Sequence, residues 1–377
     1  MYRRRVVRPP AHTFPESLEE LGFHIDENNQ VIDSSGKPYE FDLKARDRDY
    51  QEAHSRALGD AIMRKMLKRM DDEFNLIKAK VPIGIDDNDT TSPQAHILLS
   101  PGVEKSERLL VLVPGTMETI GAWSRRLLTK HSTEIGSMYA VLKQALQEGY
   151  GVMMLNPNAH WWVDGRDTVM VPTRRQFELI PSLGSPEEHL DYVLRNFVQG
   201  YASKEIYFIA HKYGTHALAQ ALYNQFDTFK DRVAAIAVID GTHAIDSFPE
   251  PVFQKWWSLN AAGYIQSEAE ESGRVVYREH AGCNCVNAGA QEYDYTIVQE
   301  MPSIFRFFRS RKGRDNTFDN YKDVVQPLHP DDPTTAMITY HVPGGDEKEA
   351  ESETTAAPES PKDASAAAGA ATTADNQ

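Results

Sequence analysis

The stretch EIYFIAHKYGTHALAQAL, residues 205–222, decides the fold expected for this 377-residue chain. Its apolar run Ile206–Ile209 has the length and composition of a buried β-strand. The segment 216–222 has the apolar spacing of a helix, and only a short polar stretch with Gly214 near its end separates the two. The sequence therefore predicts a strand that turns sharply into a helix at Lys212.

This pattern is typical of the nucleophile elbow of α/β-hydrolases, whose turn reads G-x-S-x-G. Ala210 holds the first small position, Gly214 the last, and Lys212 the place of the nucleophilic serine. An amine there is cationic at neutral pH unless burial lowers its pKa, and its acyl adduct is a stable amide. Loss of a triad nucleophile slows hydrolysis about a million-fold, so the usual route is excluded. Schiff-base chemistry remains open to a lysine, but a purely structural role is the favoured interpretation.

Composition limits the classes of function. The chain is 41% hydrophobic, enough for one large α/β core, and carries a formal net charge of −15. That charge predicts no direct binding to nucleic acid. No apolar run approaches the roughly 20 residues that span a bilayer, so no membrane association is predicted. The two cysteines, Cys283 and Cys285, form no disulfide framework, which favours a reducing compartment.

Four segments are predicted along the chain. Residues 1–13 form a disordered basic arm, residues 14–95 a hairpin and helix extension, residues 96–325 an α/β-hydrolase-like domain, and residues 326–377 a disordered acidic tail. Short, continuously apolar strands alternate with helical patterns in the third segment. This alternation predicts an α/β fold, a three-layer sandwich with a mostly parallel sheet.

The expected elements follow from apolar periodicity. A long helix is predicted from Asp47 to Phe74, and Ile304 is predicted to begin the last helix. Strands are predicted at His96–Leu99, Leu109–Val113, Val152–Leu155, Ile206–Ile209, Val233–Ile239 and Val275–Tyr277, and helices at Met138–Gln147, Pro186–Gly200, His216–Phe226 and Val252–Leu259. Ser185 before Pro186 is a favourable helix N-cap.

A hydrolase also needs an acid, a histidine and backbone donors for an oxyanion. Asp240 and His243 follow a predicted strand and supply the first two residue types. Gly115 and Thr116 follow the strand that precedes the elbow in the hydrolase order, and both have N–H groups, whereas the neighbouring Pro114 has none. If the chain is an esterase or acyltransferase, Thr215 or Tyr213 is the alternative nucleophile.

A metal site is not predicted. His211, His216, Asp240 and His243 lack a ligand spacing on one helix, so structural histidines are favoured and no metal or cofactor is expected. A lysine beside backbone donors at a helix N-terminus would suit an anion, which makes the elbow a candidate ligand pocket. The residues predicted around that pocket are Gly115, Thr116, His211, Lys212, Tyr213, Asp240 and His243.

Seven segments, taken in order, resemble the Argonaute-binding-protein-two (Arb-two) domain family. They are FPESLEELGFHIDENNQVID, LLVLVPGTMETIGAWSRRL, EGYGVMMLNPN, GSPEEHLDYV, IYFIAHKYGTHAL, VIDGTH and MPSIFRFF. The resemblance implies an α/β-hydrolase-like branch whose elbow commonly reads A-H-S-Y-G. This chain departs at Lys212, at Tyr293 in place of the late-loop histidine, and at Pro114, while Asp240 and His243 remain.

The resemblance implies a pseudo-hydrolase that acts as a binding module in small-RNA silencing, chromatin or splicing complexes. Expected partners are therefore proteins, such as Argonaute or subunits of splicing or chromatin complexes. A histone-binding subunit of a deacetylase complex is a further alternative. A nuclear site is favoured; the cytoplasm, or a mitochondrial site signalled by the basic N-terminus, is the alternative.

Overall fold

The computed structural model describes residues 12–42, 46–86, 88–169, 177–267, 271–290, 292 and 294–314. Residues 1–11, most of the predicted basic arm, and the predicted acidic tail lie outside the described residues, and so does Tyr293. The predicted segment boundaries therefore stay predictions.

The strands β1 to β14 run, in order, over Phe23–Ile25, Val31–Asp33, Ile77–Val81, Ala95–Leu99, Arg108–Val113, Gly151–Met154, Trp161–Val163, Arg166–Thr168, Glu178–Leu179, Glu205–His211, Val233–Ile239, Ala261–Ile265, Val275–Val276 and Asn284–Asn287. The helices α1 to α9 run over Arg48–Phe74, Arg125–Lys130, Thr133–Gly136, Tyr139–Gln147, Pro186–Asn196, Tyr213–Asn224, Phe226–Phe229, Pro251–Asn260 and Thr296–Arg311.

The central sheet has the strand order β13-β14-β12-β11-β10-β5-β6-β4-β3. Its neighbours from β14 to β6 are parallel, whereas β13, β4 and β3 each pair antiparallel. This is the strand order of the α/β-hydrolase sheet, with its antiparallel second strand. The predicted fold class is confirmed.

Helices cover both faces of this sheet. Successive side chains of β5 point to opposite faces, as the pleat requires. Leu110 and Leu112 pack in a cluster with residues of α1, α4 and α9. Leu109 and Val111 pack in a second cluster with residues of α5, α6 and α8. The chain therefore forms the predicted three layers, and the parallel strands are buried on both sides.

The N-terminal extension has the predicted hairpin and helix. The β1–β2 hairpin turns through Asn29, whose φ of 60° lies in the left-handed region that asparagine tolerates. Helix α1 begins after Asp47, whose carboxylate accepts a hydrogen bond of 2.9 Å from the Tyr50 N–H. It ends at Asn75, which also has a left-handed conformation.

The last helix differs from its prediction. The apolar run at Ile304 predicted the start of the helix there, and this is wrong, because α9 begins at Thr296 and continues through Pro302. Ile297 and Ile304 are both buried in the same core cluster. Burial of one continuous face therefore stabilises the first turns despite the hydrogen bond that a proline removes.

Candidate functional site

The elbow lies where the sequence predicts it. β10 ends at His211, α6 begins at Tyr213, and Lys212 connects them with φ 49° and ψ −121°. The Lys212 N–H donates to the Ile239 carbonyl at 2.9 Å, which ties the turn to β11. A positive φ in a residue with a long side chain costs free energy and is found at functional turns.

Two glycines allow the close packing around this turn. A Cβ atom on Gly214 would lie 2.4 Å from the Pro114 carbonyl oxygen, so only glycine lets α6 approach the end of β5. A Cβ atom on Gly115 would lie 3.2 Å from Nδ1 of His211. The loop after β5 therefore lies directly against the elbow, and Thr116 beside it is exposed.

The side chain of Lys212 forms an ion pair. Its Nζ donates a hydrogen bond to Oδ1 of Asp294, and the two side chains are 21% and 7% exposed. Oδ2 of Asp294 accepts a hydrogen bond of 2.7 Å from the Ser124 hydroxyl and lies 3.6 Å from Nε of Arg126. Burial alone would raise the pKa of Asp294, but the hydrogen bonds from Lys212 and Ser124 outweigh burial and lower it. Asp294 is therefore a buried carboxylate at neutral pH.

Asp294 was not among the residues predicted from the sequence, which weighed only Tyr293 in this loop. One signal was available. A cation at a partly buried elbow requires a counter-ion, and Asp294 is an acid in the same late loop.

Glu118, in the loop after β5, is a second acid near the elbow. Both of its carboxylate oxygens accept from the Arg125 N–H, at 3.2 and 3.1 Å. Burial raises the pKa of Glu118 to about 7, although Arg125 and Lys212 favour its ionised form. The side-chain amide of Asn158 donates to the carbonyls of Gly115 and Glu118, each at 2.8 Å, and so fixes this loop.

His211 is almost fully buried, with 1% of its surface exposed. Its ring lies edge-on to Trp123 at a centroid distance of 6.2 Å. Burial, and secondarily the Lys212 cation, lower the pKa of His211 to about 3. It is therefore a neutral packed side chain at physiological pH.

Asp240 and His243 follow β11, but each is held by a different partner. Oδ1 of Asp240 accepts from the Gln266 N–H at 2.9 Å, and burial raises the pKa of Asp240. Nε2 of His243 lies 2.9 Å from the Ala281 carbonyl oxygen, so this nitrogen carries the proton. Burial lowers the pKa of His243 to about 4. This imidazole is neutral, and its N–H is engaged with the backbone.

The alternative nucleophiles are also engaged. The Thr215 side chain is completely buried and its hydroxyl donates to the Ala210 carbonyl at 3.2 Å. A hydrogen bond to Glu187 raises the pKa of Tyr213 to about 12. The Thr215 hydroxyl is therefore engaged with the backbone, and the Tyr213 phenol stays protonated at neutral pH. Among the residues that the structure describes, no group of three or more His, Cys, Asp or Glu side chains is placed to hold a metal ion.

The family follows from a match along most of the chain. The model of the Arb2 domain matches residues 14–271, more than half of the sequence. The chain belongs to the Arb2 domain family. This confirms the resemblance on which the sequence-based expectations depended.

Curated relatives align with this chain over about four-fifths of their own length. Cotranscriptional regulator ARB2A of Mus musculus is 26% identical over 343 residues, covering 79% of this chain and 81% of the relative. The ARB2A homolog of Dictyostelium discoideum is 21% identical over 320 residues, covering 78% and 79%.

Two of the solved structures to which this chain is similar are histone deacetylases. A histone deacetylase from Saccharomyces cerevisiae is 15% identical, covers 68% of this chain and 98% of that chain, and has a TM-score of 0.44. The histone deacetylase Clr3 is 16% identical, covers 74% and 42%, and has a TM-score of 0.43. Within the part of the chain that the structure describes, no helix is both long and apolar enough to cross a bilayer.

Proposed function

We propose that this protein is a catalytically inactive α/β-hydrolase-like module that binds proteins in gene regulation. The observation that supports this proposal best is the ion pair between Lys212 and Asp294 at the elbow. A hydrolase of this fold needs a nucleophilic side chain in that turn, typically a serine, and a base within hydrogen-bond reach. Here the turn carries an ammonium group, and a buried carboxylate binds it.

The rest of the site supports the same interpretation. A carboxylate beside a lysine favours the ammonium form, and a protonated amine is not a nucleophile. The Nε2–H of His243 donates to a backbone carbonyl, and its lowered pKa of about 4 makes this imidazole a weak base. The Thr215 hydroxyl donates to a backbone carbonyl, and the raised pKa of Tyr213 keeps its phenol protonated at neutral pH.

The anion pocket predicted at the elbow stays a prediction, and one feature of the site opposes anion binding. Its cation, Lys212, already contacts the carboxylate of Asp294, and Glu118 adds further negative charge as it ionises. An anion at this place would have to compete with an acid of the same chain. We therefore assign the ion pair a structural role.

The gene-regulation part of the proposal comes from the relatives. Those named cotranscriptional regulator ARB2A align over about four-fifths of this chain and of their own length. We extend that role to this chain, with a nuclear site of action and partners in splicing, chromatin or Argonaute-linked silencing complexes. The net charge of −15 favours contacts with proteins over direct contacts with nucleic acid.

Affinity purification of the tagged full chain from nuclear extract, followed by mass spectrometry, tests this proposal. We expect subunits of a transcription, splicing, silencing or deacetylase complex, retained after RNase treatment because the contacts are between proteins. The set of subunits distinguishes these complexes from one another.

A matched control is the double variant Lys212→Met and Asp294→Leu, which removes the ion pair. We expect it to retain the partners, since the pair is internal. Partners that are lost on RNase treatment, or a purified fraction without any gene-regulatory subunit, would contradict the proposal.

A further inference from the structure

A second polar feature lies apart from the elbow. A cavity of about 290 Å³ opens between α1, the loop after β5, the end of β6 and the β7–β8 hairpin. Its charged lining residues include Arg56, Asp60, Arg64, Arg125, Arg166 and Asp167. We call this feature the arginine cavity.

The arginine cavity lies at the functional edge of the sheet. Thr119 and Ile120 line it from the loop after β5, and Asn156 lines it from the end of β6. His96 joins them from the start of the antiparallel strand β4, which lies at the same edge. In open α/β sheets, ligands bind in the crevice outside the carboxyl ends of the parallel strands.

The charges of this lining do not balance. Four guanidinium groups face the cavity, and Asp60 and Asp167 are the carboxylates of the described lining. Asp167 is already paired, since Nδ1 of His96 lies 3.1 Å from it and the Asn156 amide donates to it at 3.0 Å. Asp60 is therefore the carboxylate of the described lining that can neutralise the arginines.

Asp60 does not neutralise the cluster. Its closest recorded cation, Nη1 of Arg125, is 3.6 Å away, longer than a charge-assisted hydrogen bond. Burial raises the pKa of Asp60, although all four arginines act to lower it. Outside the lining, the exposed Glu16 lies 3.2 Å from Arg166, and its carbonyl accepts from Arg64. An excess of positive charge remains in a protein whose net charge is −15.

Arg125 is fixed in place at the cavity. Gly59 of α1 provides the space for it, because a Cβ atom there would lie 2.8 Å from Cγ of Arg125. The Arg125 N–H binds the Glu118 carboxylate, and its guanidinium donates to the Met117 carbonyl at 3.4 Å. A side chain held in this way loses little freedom when it binds a ligand.

We propose that the arginine cavity binds the phosphate group of a small organic phosphate. The planar guanidinium fork matches two phosphate oxygens at once, and arginine is the preferred residue for such bidentate contacts. The volume of about 290 Å³ corresponds to the lower end of small-molecule sites. This site does not depend on the proposed gene-regulatory role or on the chemistry of the elbow.

Isothermal titration calorimetry of the full chain tests the proposal with glycerol 3-phosphate, inorganic phosphate and, as the neutral control, glycerol. Ionic strength is held constant because chloride screens exposed arginines. We expect both phosphates to bind and glycerol not to bind. Arg56→Gln should weaken phosphate binding about tenfold, the value of one lost charge-assisted contact.

Two further variants separate a ligand site from a structural cluster. Arg48→Gln changes an arginine of the same helix that pairs with Glu52 outside the cavity, and it should leave binding unchanged. Asp60→Asn removes a carboxylate that competes with the ligand, so it should tighten binding, whereas a purely structural role predicts no gain.

The proposal is overturned if neither phosphate binds the wild type at concentrations up to ~10 mM. It is also overturned if Arg56→Gln and Arg48→Gln have equal effects, or if Asp60→Asn weakens binding. Binding of a phosphorylated peptide without binding of glycerol 3-phosphate would likewise exclude a small organic phosphate as the ligand.

Discussion

The elbow and the arginine cavity lie at the same edge of one sheet, but they differ in how closely their cations are paired with carboxylates. At the elbow, the ammonium of Lys212 binds the carboxylate of Asp294, which the Ser124 hydroxyl also holds. In the cavity, four guanidinium groups share the lining with Asp60, which lies 3.6 Å from Nη1 of Arg125. The comparison indicates that the cation at the elbow is neutralised by an acid of the same chain, whereas the guanidinium groups of the cavity remain available to a ligand.

The largest expected effect contrasts the glycines of the two regions. Gly214→Ala would place a methyl group 2.4 Å from the Pro114 carbonyl, and the backbone there cannot move aside. We expect it to lower the free energy of unfolding by about 3 kcal/mol or more. Gly59→Ala would meet only the flexible stem of Arg125, and the gain in helix propensity offsets part of the cost.

Urea unfolding of both variants measures this difference. Gly59→Ala should lie within about 1 kcal/mol of the wild type. Equal destabilisation by the two substitutions would mean that the elbow is no more tightly packed than the cavity wall. Gly200→Ala, with open space around the added methyl, is the control.

The next effect compares an acid that is hydrogen-bonded to its cation, Asp294, with one whose ion pair is longer, Asp60. Asp294→Ala removes a buried carboxylate that contacts both Lys212 and Arg126, so it should cost about 2 to 3 kcal/mol of unfolding free energy. Asp60→Asn removes a charge that burial disfavours, so it should change stability by less than about 1 kcal/mol. Denaturant unfolding at pH 7 gives both values, and the reverse order would contradict the comparison.

A smaller effect concerns pH. The pKa of Glu118 is about 7 in the folded chain and near 4.5 when unfolded, so the folded state binds more protons between these values. The contribution of Glu118 to stability should therefore decrease as pH rises from about 4.5 to about 7. Glu118→Gln removes this decrease and should be more stable than the wild type at pH 8 by roughly 1 to 2 kcal/mol.

Thermal unfolding of both proteins from pH 4 to pH 8 measures the slope. Burial lowers the pKa values of His211 and His243 to about 3 and 4. Their contributions to the stability of the protein therefore change in the opposite direction and decrease as pH falls below about 6.5. They are present in both proteins, so they cancel in the difference. An unchanged slope in Glu118→Gln would show that the pKa of this acid is the same in the folded and the unfolded chain.

Local pattern in the sequence was enough to predict the elbow and the fold. The apolar run before Lys212, the short turn and the helix after it are adjacent in the chain, and their hydrophobic spacing directly reflects burial on both faces of a parallel strand. The N-cap at Ser185 was predictable for the same reason, and its hydroxyl accepts from the Glu188 N–H.

Long-range features were not predictable in this way. Asp294 is 82 residues from Lys212, and no local pattern specifies which late-loop side chain reaches the turn. The start of α9 was missed because Pro302 interrupts the helical pattern that tertiary burial maintains. Strand β12, Ala261–Ile265, begins with small residues whose strand character comes from pairing with β11 and β14.

The arginine cavity illustrates the same limit. Arg56, Arg125 and Arg166 come from a helix, a loop boundary and a hairpin that are far apart in the sequence. Each is an ordinary surface arginine when viewed alone. They line the same cavity only in the folded chain, in which α1 and the β7–β8 hairpin lie at one edge of the sheet.

The central claim is that the elbow has no hydrolytic activity. Fluorophosphonate labelling of the purified chain, combined with intact mass measurement, tests it most directly. We predict that the wild type remains unlabelled and that Thr215→Val and Tyr213→Phe behave identically to it. A phosphonylated wild type whose label is lost in Thr215→Val or Tyr213→Phe would contradict this and identify a working nucleophile at the turn.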